Sequence, residues 1–196
     1  MYKVFIDNHI LFITTSIKNI PVSEYEIVEY SEFVKRLPDL YNSSEALHFV
    51  VLASTISDVF NLIFKDYEKI TAAGGLVRKG SRYLFIKRNG FWDIPKGKIE
   101  ANEEIRKAAV REIEEECGIT NPVVERELCQ TLHTYHYKGT PVLKTTYWYA
   151  LTYDKQENLI PQTEEGITEV RWFQKDEFSE ILSNTYPSIK DVLAML

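Results

Sequence analysis

Hydrophobic and polar positions change period several times along the chain, and each change predicts an element. YKVFI, ILFIT and later YEIVEY read as short alternating strands, with Asp7-Asn8 between the first two as a hairpin turn signal. Ser31 is placed to cap a helix over Glu32 to Leu37 that Pro38 would stop, and ALHFVVLA is a buried-strand run. From Thr55, the residues Ile56, Val59, Phe60, Ile63, Phe64, Tyr67 and Ile70 recur at i, i+3, i+4 spacing, which predicts an amphipathic helix ending near the AAGG stretch. Beyond it come strand GLVRK, a turn at Gly80, strand YLFIKR, a loop NGFWDIPKGKIE and a second helix. Two long strands, VVERELCQTLHTYHY and LKTTYWYALTY, a strand EVRWF and two C-terminal helices complete the chain. The pattern divides the chain into a small α/β lobe, residues 1–70, and a larger α/β domain, residues 71–196.

The helix after the loop carries an anomaly. Positions on a helix advance about 100° per residue, so taking Ile105 as zero puts Ala108, Ala109, Glu112, Ile113, Glu115 and Glu116 in one arc from about 280° through zero to about 80°. Glu104, Arg106, Lys107, Arg111 and Glu114 fall on the other side, as a solvated face should. Three carboxylates beside an apolar seam repel one another and lose hydration, at several kcal/mol each. A hard divalent cation relieves both penalties, and oxygen-only ligands suit Mg²⁺ or Mn²⁺ better than zinc. The bland alternative is an acidic helix with surface salt bridges. Gly97 and Gly118 framing the helix, and Arg111 directly before Glu112, weigh against it.

The whole segment from Gly97 to Ile119 has a fixed spacing: Gly97, five free positions, Glu103, seven free positions, Arg111-Glu112-Ile113, one free position, Glu115-Glu116, one free position, Gly118-Ile119. This resembles the signature of the Nudix hydrolases at every constrained position. The resemblance implies a Nudix α/β/α sandwich with a mixed sheet, preceded by the α/β lobe, to which it assigns nothing. It implies a metal-dependent pyrophosphohydrolase that uses Mg²⁺ or Mn²⁺ and has Glu112, Glu115 and Glu116 dividing metal binding and base work. It also implies a main-chain carbonyl of Lys96 or Gly97 as a further metal ligand, and Glu165, just before Gly166, as another ligand or base. Glu103 and Arg111 are expected to hold loop and helix in place.

Remaining phosphates need positive groups, and Lys87, Arg88, Lys96, Lys98 and Lys144 lie on elements near the loop. The phrase WDIPKGKIE is similar to relatives that act on diadenosine polyphosphates or diphosphoinositol polyphosphates. Relatives of the first kind tend to carry a tyrosine some way past the box, where Tyr135 and Tyr137 stand here. Strand alternation puts His133, Tyr135 and Tyr137 on one face, where they could stack on a base or simply fill the sheet.

Composition narrows partners rather than chemistry. A net charge of −6 argues against extended nucleic acid as a partner and leaves a short phosphate-rich nucleotide open. Cys117 and Cys129 have no zinc spacing and read as reduced thiols. No stretch reaches the roughly 20 apolar residues of a membrane span, and MYKVFIDNHI lacks the features of a secretory signal, so a cytoplasmic protein is expected. The first lobe could shape the substrate entrance, mediate a homodimer or cover a sheet face. Two functions stay open: a Nudix pyrophosphohydrolase acting on a nucleoside diphosphate linked to another moiety, such as a diadenosine polyphosphate, and a Nudix-fold nucleotide sensor or interaction protein without turnover.

Overall fold

The computed structural model of the chain describes residues 1–18 and 20–196. It contains two compact units, Met1–Ile70 with Leu132–Lys144, and Thr71–Thr131 with Thr145–Leu196. Residues 132–144, which the sequence pattern assigns to the larger domain, group with the lobe.

The first unit holds β1 (Tyr2–Ile6), β2 (His9–Thr14), β3 (Glu26–Val28), α1 (Tyr30–Leu40), β4 (His48–Leu52) and α2 (Ile56–Ile63). β1 and β2 form an antiparallel hairpin closed by Asp7-Asn8, while β4 lies parallel between β2 and β3. On its other side β1 pairs in parallel with Leu132–Thr134. Val4, Ile6, Leu11 and Ile13 bury one face of these strands under Phe33, Leu37 and Leu40 of α1 and Ile63 and Phe64 at the end of α2. His9 is fully buried: one ring nitrogen meets the Leu40 carbonyl at 2.8 Å and the other accepts the Leu47 N–H at 3.0 Å.

Two sequence expectations change here. α1 starts at Tyr30 behind Glu29 rather than behind Ser31, and it carries Pro38 inside its last turn, where the ring removes a single backbone donor. The helix expected from Thr55 to Ile70 stops at Ile63, and AAGG lies within a strand that begins at Glu68. Tyr67 and Ile70 continue the helical spacing by coincidence. Tyr67 instead packs edge-on to Phe64 and shares a hydroxyl contact with Tyr41.

In chain order the remaining elements are β5 (Glu68–Lys79), β6 (Arg82–Arg88), β7 (Phe91–Asp93), β8 (Lys96–Lys98), α3 (Ile105–Cys117), β9 (Val123–Tyr137), β10 (Thr140–Thr152), β11 (Ile167–Gln174), α4 (Phe178–Ser183) and α5 (Pro187–Leu193). In the second unit the strands run β11-β6-β5-β10-β9, with β7 added to β6 and β8 to β5. Alternation along the strands sorts two cores. Leu84, Ile86, Tyr149 and Leu151 meet Ala108, Ala109, Ile113 and Cys117 of α3. Tyr83, Phe85 and Trp148 meet Ile181 of α4 and Ile189 and Val192 of α5 on the opposite face. Helices on both faces of a mixed sheet make the α/β/α sandwich the sequence led us to expect.

The segment expected as a loop, NGFWDIPKGKIE, instead contains two short strands. Asn89 and Gly90 both have positive φ, which is the tight two-residue turn that joins twisted strands, and Arg88 faces Phe91 across it. β8 lies against the glycines of β5. Gly75 donates to the Pro95 carbonyl at 3.1 Å, and a Cβ on Gly74 would stand 2.3 Å from that oxygen. The close approach fixes Lys96 and Gly97 in front of α3. No helix among the described residues is long and apolar enough to cross a membrane.

Candidate active site

The site is built where α3 meets β8. Gly118, left-handed at φ 72°, ends α3 by donating to Glu114 at 2.9 Å, and Glu114 itself accepts the Asn121 N–H beyond the turn. Glu114 is therefore tied down rather than free in water.

The other three helix carboxylates are graded in burial. Glu116 is fully buried, Glu112 is 6% exposed, and the Glu115 side chain is 47% exposed. The expectation that all three face inward is corrected at Glu115, whose place at the edge of the arc leaves it on the rim. Glu112 lies against the backbone of β8: a Cβ on Gly97 would fall 1.8 Å from its Oε2. Glu116 Oε2 accepts the Lys96 N–H at 2.9 Å, and its Oε1 faces Arg88 at 3.3 Å. Burial pushes the Glu116 carboxyl up to about 7, with the Lys96 charge opposing, and burial likewise raises Glu112 against the pull of Arg111.

Arg111 uses all five of its N–H donors. Nε and Nη2 grip the two oxygens of Glu103 at 2.8 Å each, Nη1 bridges Glu112 at 2.7 Å and Glu115 at 3.0 Å, and Nη2 also reaches the Lys98 carbonyl at 3.1 Å. The guanidinium hydrogen bonds hold Glu103 down to about 2, and Glu103 in turn accepts the Glu100 N–H at 3.0 Å. A group so fully engaged ties the loop to the helix.

Arg88 faces both ways, pairing Glu116 and, at 2.9 Å, Glu165 in the turn Thr163–Glu165. Lys96 turns its ammonium to the buried carboxylate of Asp93, which also accepts the Ile94 N–H at 2.8 Å. Asp93 had no place in the sequence reading, although three residues before a lysine is ion-pair spacing. Lys87 stands over the Trp92 ring on the opposite face of the hairpin and takes no part. Lys98 contributes its carbonyl to Arg111 while its side chain is exposed. Tyr135, Tyr137 and Lys144 belong to the first unit, where Tyr135 lies 5.5 Å from His133 and Tyr137 is exposed. On the other face of that strand Thr134 and His136 both meet Tyr41, as alternation requires.

A divalent cation can be tested against this donor set. Among the described residues no three acidic, histidine or cysteine side chains already converge on one point. Arg111 Nη1 occupies the position between Glu112 and Glu115 and supplies their positive charge. The donors themselves fit a hard cation: all are oxygens, Glu112 is pressed to a glycine backbone, and Glu116 is buried with incomplete neutralisation.

The family model for the NUDIX domain matches residues 68–195. The chain belongs to the Nudix family. Over 120 residues it is 33% identical to a MutT-like protein of Streptomyces ambofaciens, across 60% of this chain and 71% of that protein. It is 36% identical over 61 residues to an 8-oxo-dGTP diphosphatase of Proteus vulgaris, across 28% of this chain and 54% of that one. An Ap4A hydrolase of C. elegans shares the fold at a TM-score of 0.51 and 21% identity, covering 64% of this chain and 93% of its own. A MutT NUDIX hydrolase from Burkholderia pseudomallei does so at 0.50 and 22%, covering 66% and 98%. The chain's class is that of a Nudix pyrophosphohydrolase.

Proposed function

We propose that the chain is a divalent-cation-dependent hydrolase that cleaves the pyrophosphate bond of a nucleoside diphosphate linked to another moiety. The observation that carries the reading is the convergence of Glu112 and Glu116 on the Lys96–Gly97 backbone, with Glu115 beside them on the rim. Glu112, Glu115 and Glu116 would hold Mg²⁺ or Mn²⁺, with a carbonyl of Lys96 or Gly97 and Glu165 completing the oxygen set. The cation, when bound, supplies Lewis acidity and charge neutralisation to the diphosphate.

The chain's own residues do the rest. Arg111 keeps Glu112 and Glu115 oriented and is itself held by Glu103. Arg88 and Lys96 place positive charge beside the carboxylates, where phosphate oxygens need it. Each is paired here with a carboxylate, so a diphosphate competes with Glu165 for Arg88 and with Asp93 for Lys96. The proton released from the attacking water goes to one of the box carboxylates or to Glu165. The exposed Lys98 stays in the proposal as a further phosphate contact. A diadenosine polyphosphate is the substrate we favour within the class.

The test is turnover of a nucleotide panel with Mg²⁺ and with Mn²⁺, beside Glu115→Gln and Glu116→Gln. Cation-dependent release of two phosphate-bearing products, lost in both variants, is expected. Full activity in both variants would overturn the metal assignment. Tight binding of one nucleotide with no turnover of any would favour a sensor.

A further inference from the structure

The geometry points to Phe91 and Tyr186 as the platform on which the nucleobase of the substrate stacks, an inference that rests on the phosphate-binding reading of the same site. Their rings lie 5.2 Å apart at 34° and stand 43% and 37% exposed, in a unit whose other large aromatics are mostly buried.

The backbone puts both rings on the side of the carboxylates. In β7, Phe91 and Asp93 share one face and Trp92 takes the other, where it is buried against Phe173. Across the hairpin Phe91 is opposite Arg88 and Asp93 is opposite Ile86, which packs in the core under α3. Phe91, Arg88 and Asp93 therefore face the α3 side together. Asn184–Tyr186 is laid along the free edge of β7: Trp92 donates to the Asn184 carbonyl at 2.9 Å and Thr185 Oγ1 donates to the Trp92 carbonyl at 2.7 Å. Thr185 is registered against Trp92 in a parallel bridge, so Tyr186 alternates onto the face of Phe91 and Asp93. Burial raises the Tyr186 phenol first, and Asp93 adds to this while Lys96 and Arg88, the two cations assigned to phosphate binding, oppose it.

Neither ring is on a free loop. Phe91 follows the tight Asn89-Gly90 turn, which Asn184 braces by donating to the Gly90 carbonyl at 2.7 Å. Tyr186 immediately precedes Pro187 at the start of α5 and accepts the Ile189 N–H at 3.0 Å. Single exposed aromatics need no explanation. Two preordered ones, on the same face as Arg88 and Asp93, form an apolar surface beside the cations of the proposed diphosphate site. A planar base fits that surface in a way that an inositol ring does not.

The test is calorimetric binding to the full chain, in Mg²⁺, of ADP, GDP, CDP and UDP, with methylenediphosphonate as the probe that lacks a base. Phe91→Ala and Tyr186→Ala are each expected to weaken the best nucleoside diphosphate by about tenfold or more, while diphosphonate binding is unchanged. Phe91→Trp and Tyr186→Phe keep a ring and should keep the affinity. Unchanged nucleoside diphosphate binding in both alanine variants overturns the platform. So does an equal loss of diphosphonate, which would mean that the site had been deformed. Wild-type protein that binds diphosphonate as well as every nucleotide overturns it while leaving the phosphate site standing; wild-type protein that binds neither removes both.

Discussion

Gly97→Ala isolates the contact on which the site depends. The added Cβ would meet Glu112 Oε2 at 1.8 Å, Cδ at 2.1 Å and Oε1 at 2.4 Å, against ordinary contact at 3.4 Å or more. The glycine sits in β8 between fixed neighbours, so the carboxylate must withdraw by about 1.6 Å. Glu112 is the far end of a flexible side chain, so the fold survives. Overpacking of this kind costs about 1–3 kcal/mol, a fall of a few degrees in Tm for a chain of this size. Withdrawal also breaks the 2.7 Å bond to Arg111 Nη1 and takes one oxygen donor away from the β8 backbone. Misplacing a reacting group by about 1 Å can cost 10²-fold in rate, so kcat should fall by about two orders of magnitude or more. Differential scanning calorimetry and cation-dependent turnover, measured on the same preparation, separate the two effects. A folded variant with wild-type kcat would refute the placement of Glu112 against Gly97 as the core of the site.

Four further outcomes follow from the ion pairs and the buried histidine. Because the Glu103 carboxyl is held near 2 in the fold, below its usual range, its contribution is full above about pH 4.5 and fades as pH falls towards 2; the urea-midpoint gap between wild type and Glu103→Gln should be constant from neutrality down to about pH 5 and narrow below it. Glu116 has the opposite sign: with its carboxyl raised to about 7, folding is progressively penalised as pH rises from about 4.5 through 7, so without divalent cation Glu116→Gln should gain Tm relative to wild type at pH 8 and show no gain at pH 4. Lys96→Met strands the buried Asp93 carboxylate and should cost about 3 kcal/mol by urea denaturation; a loss under about 1 kcal/mol would mean that the pair is solvated. His9→Leu leaves the Leu40 carbonyl and Leu47 N–H without their ring partner, and each such buried group costs about 1–3 kcal/mol, so unchanged stability would contradict the bridging role of the ring.

What the sequence disclosed follows how local each cause is. The orientation of α3 was legible because 100° steps are a property of the helix itself, and even the graded exposure of Glu112, Glu115 and Glu116 follows their angles of about 340°, 280° and 20°. The Asp7-Asn8 hairpin and both long strands were likewise local. The false helical stretch after Ile63 shows the limit of periodicity: Tyr67 and Ile70 satisfy the spacing, but Tyr67 lies in the bend after the helix and Ile70 in a strand whose Gly74 and Gly75 pass close to Pro95 and Lys96.

The loop before α3 was misread for a different reason. Asn89-Gly90 between IKR and FWD is a strong two-residue hairpin signal, but the strand that follows it is only three residues long, too short to show alternation by itself. In the hairpin, alternation in FWD puts Phe91 and Asp93 on one face with Arg88 opposite Phe91, and Asp93 pairs Lys96. Tyr186 was beyond reach on any local rule. Its place depends on Asn184 and Thr185 bonding to a strand more than 90 residues earlier, contacts that no periodicity encodes. The box is therefore readable because one helix carries most of it, whereas the surface that would distinguish one nucleotide from another is assembled from segments that meet only in the fold.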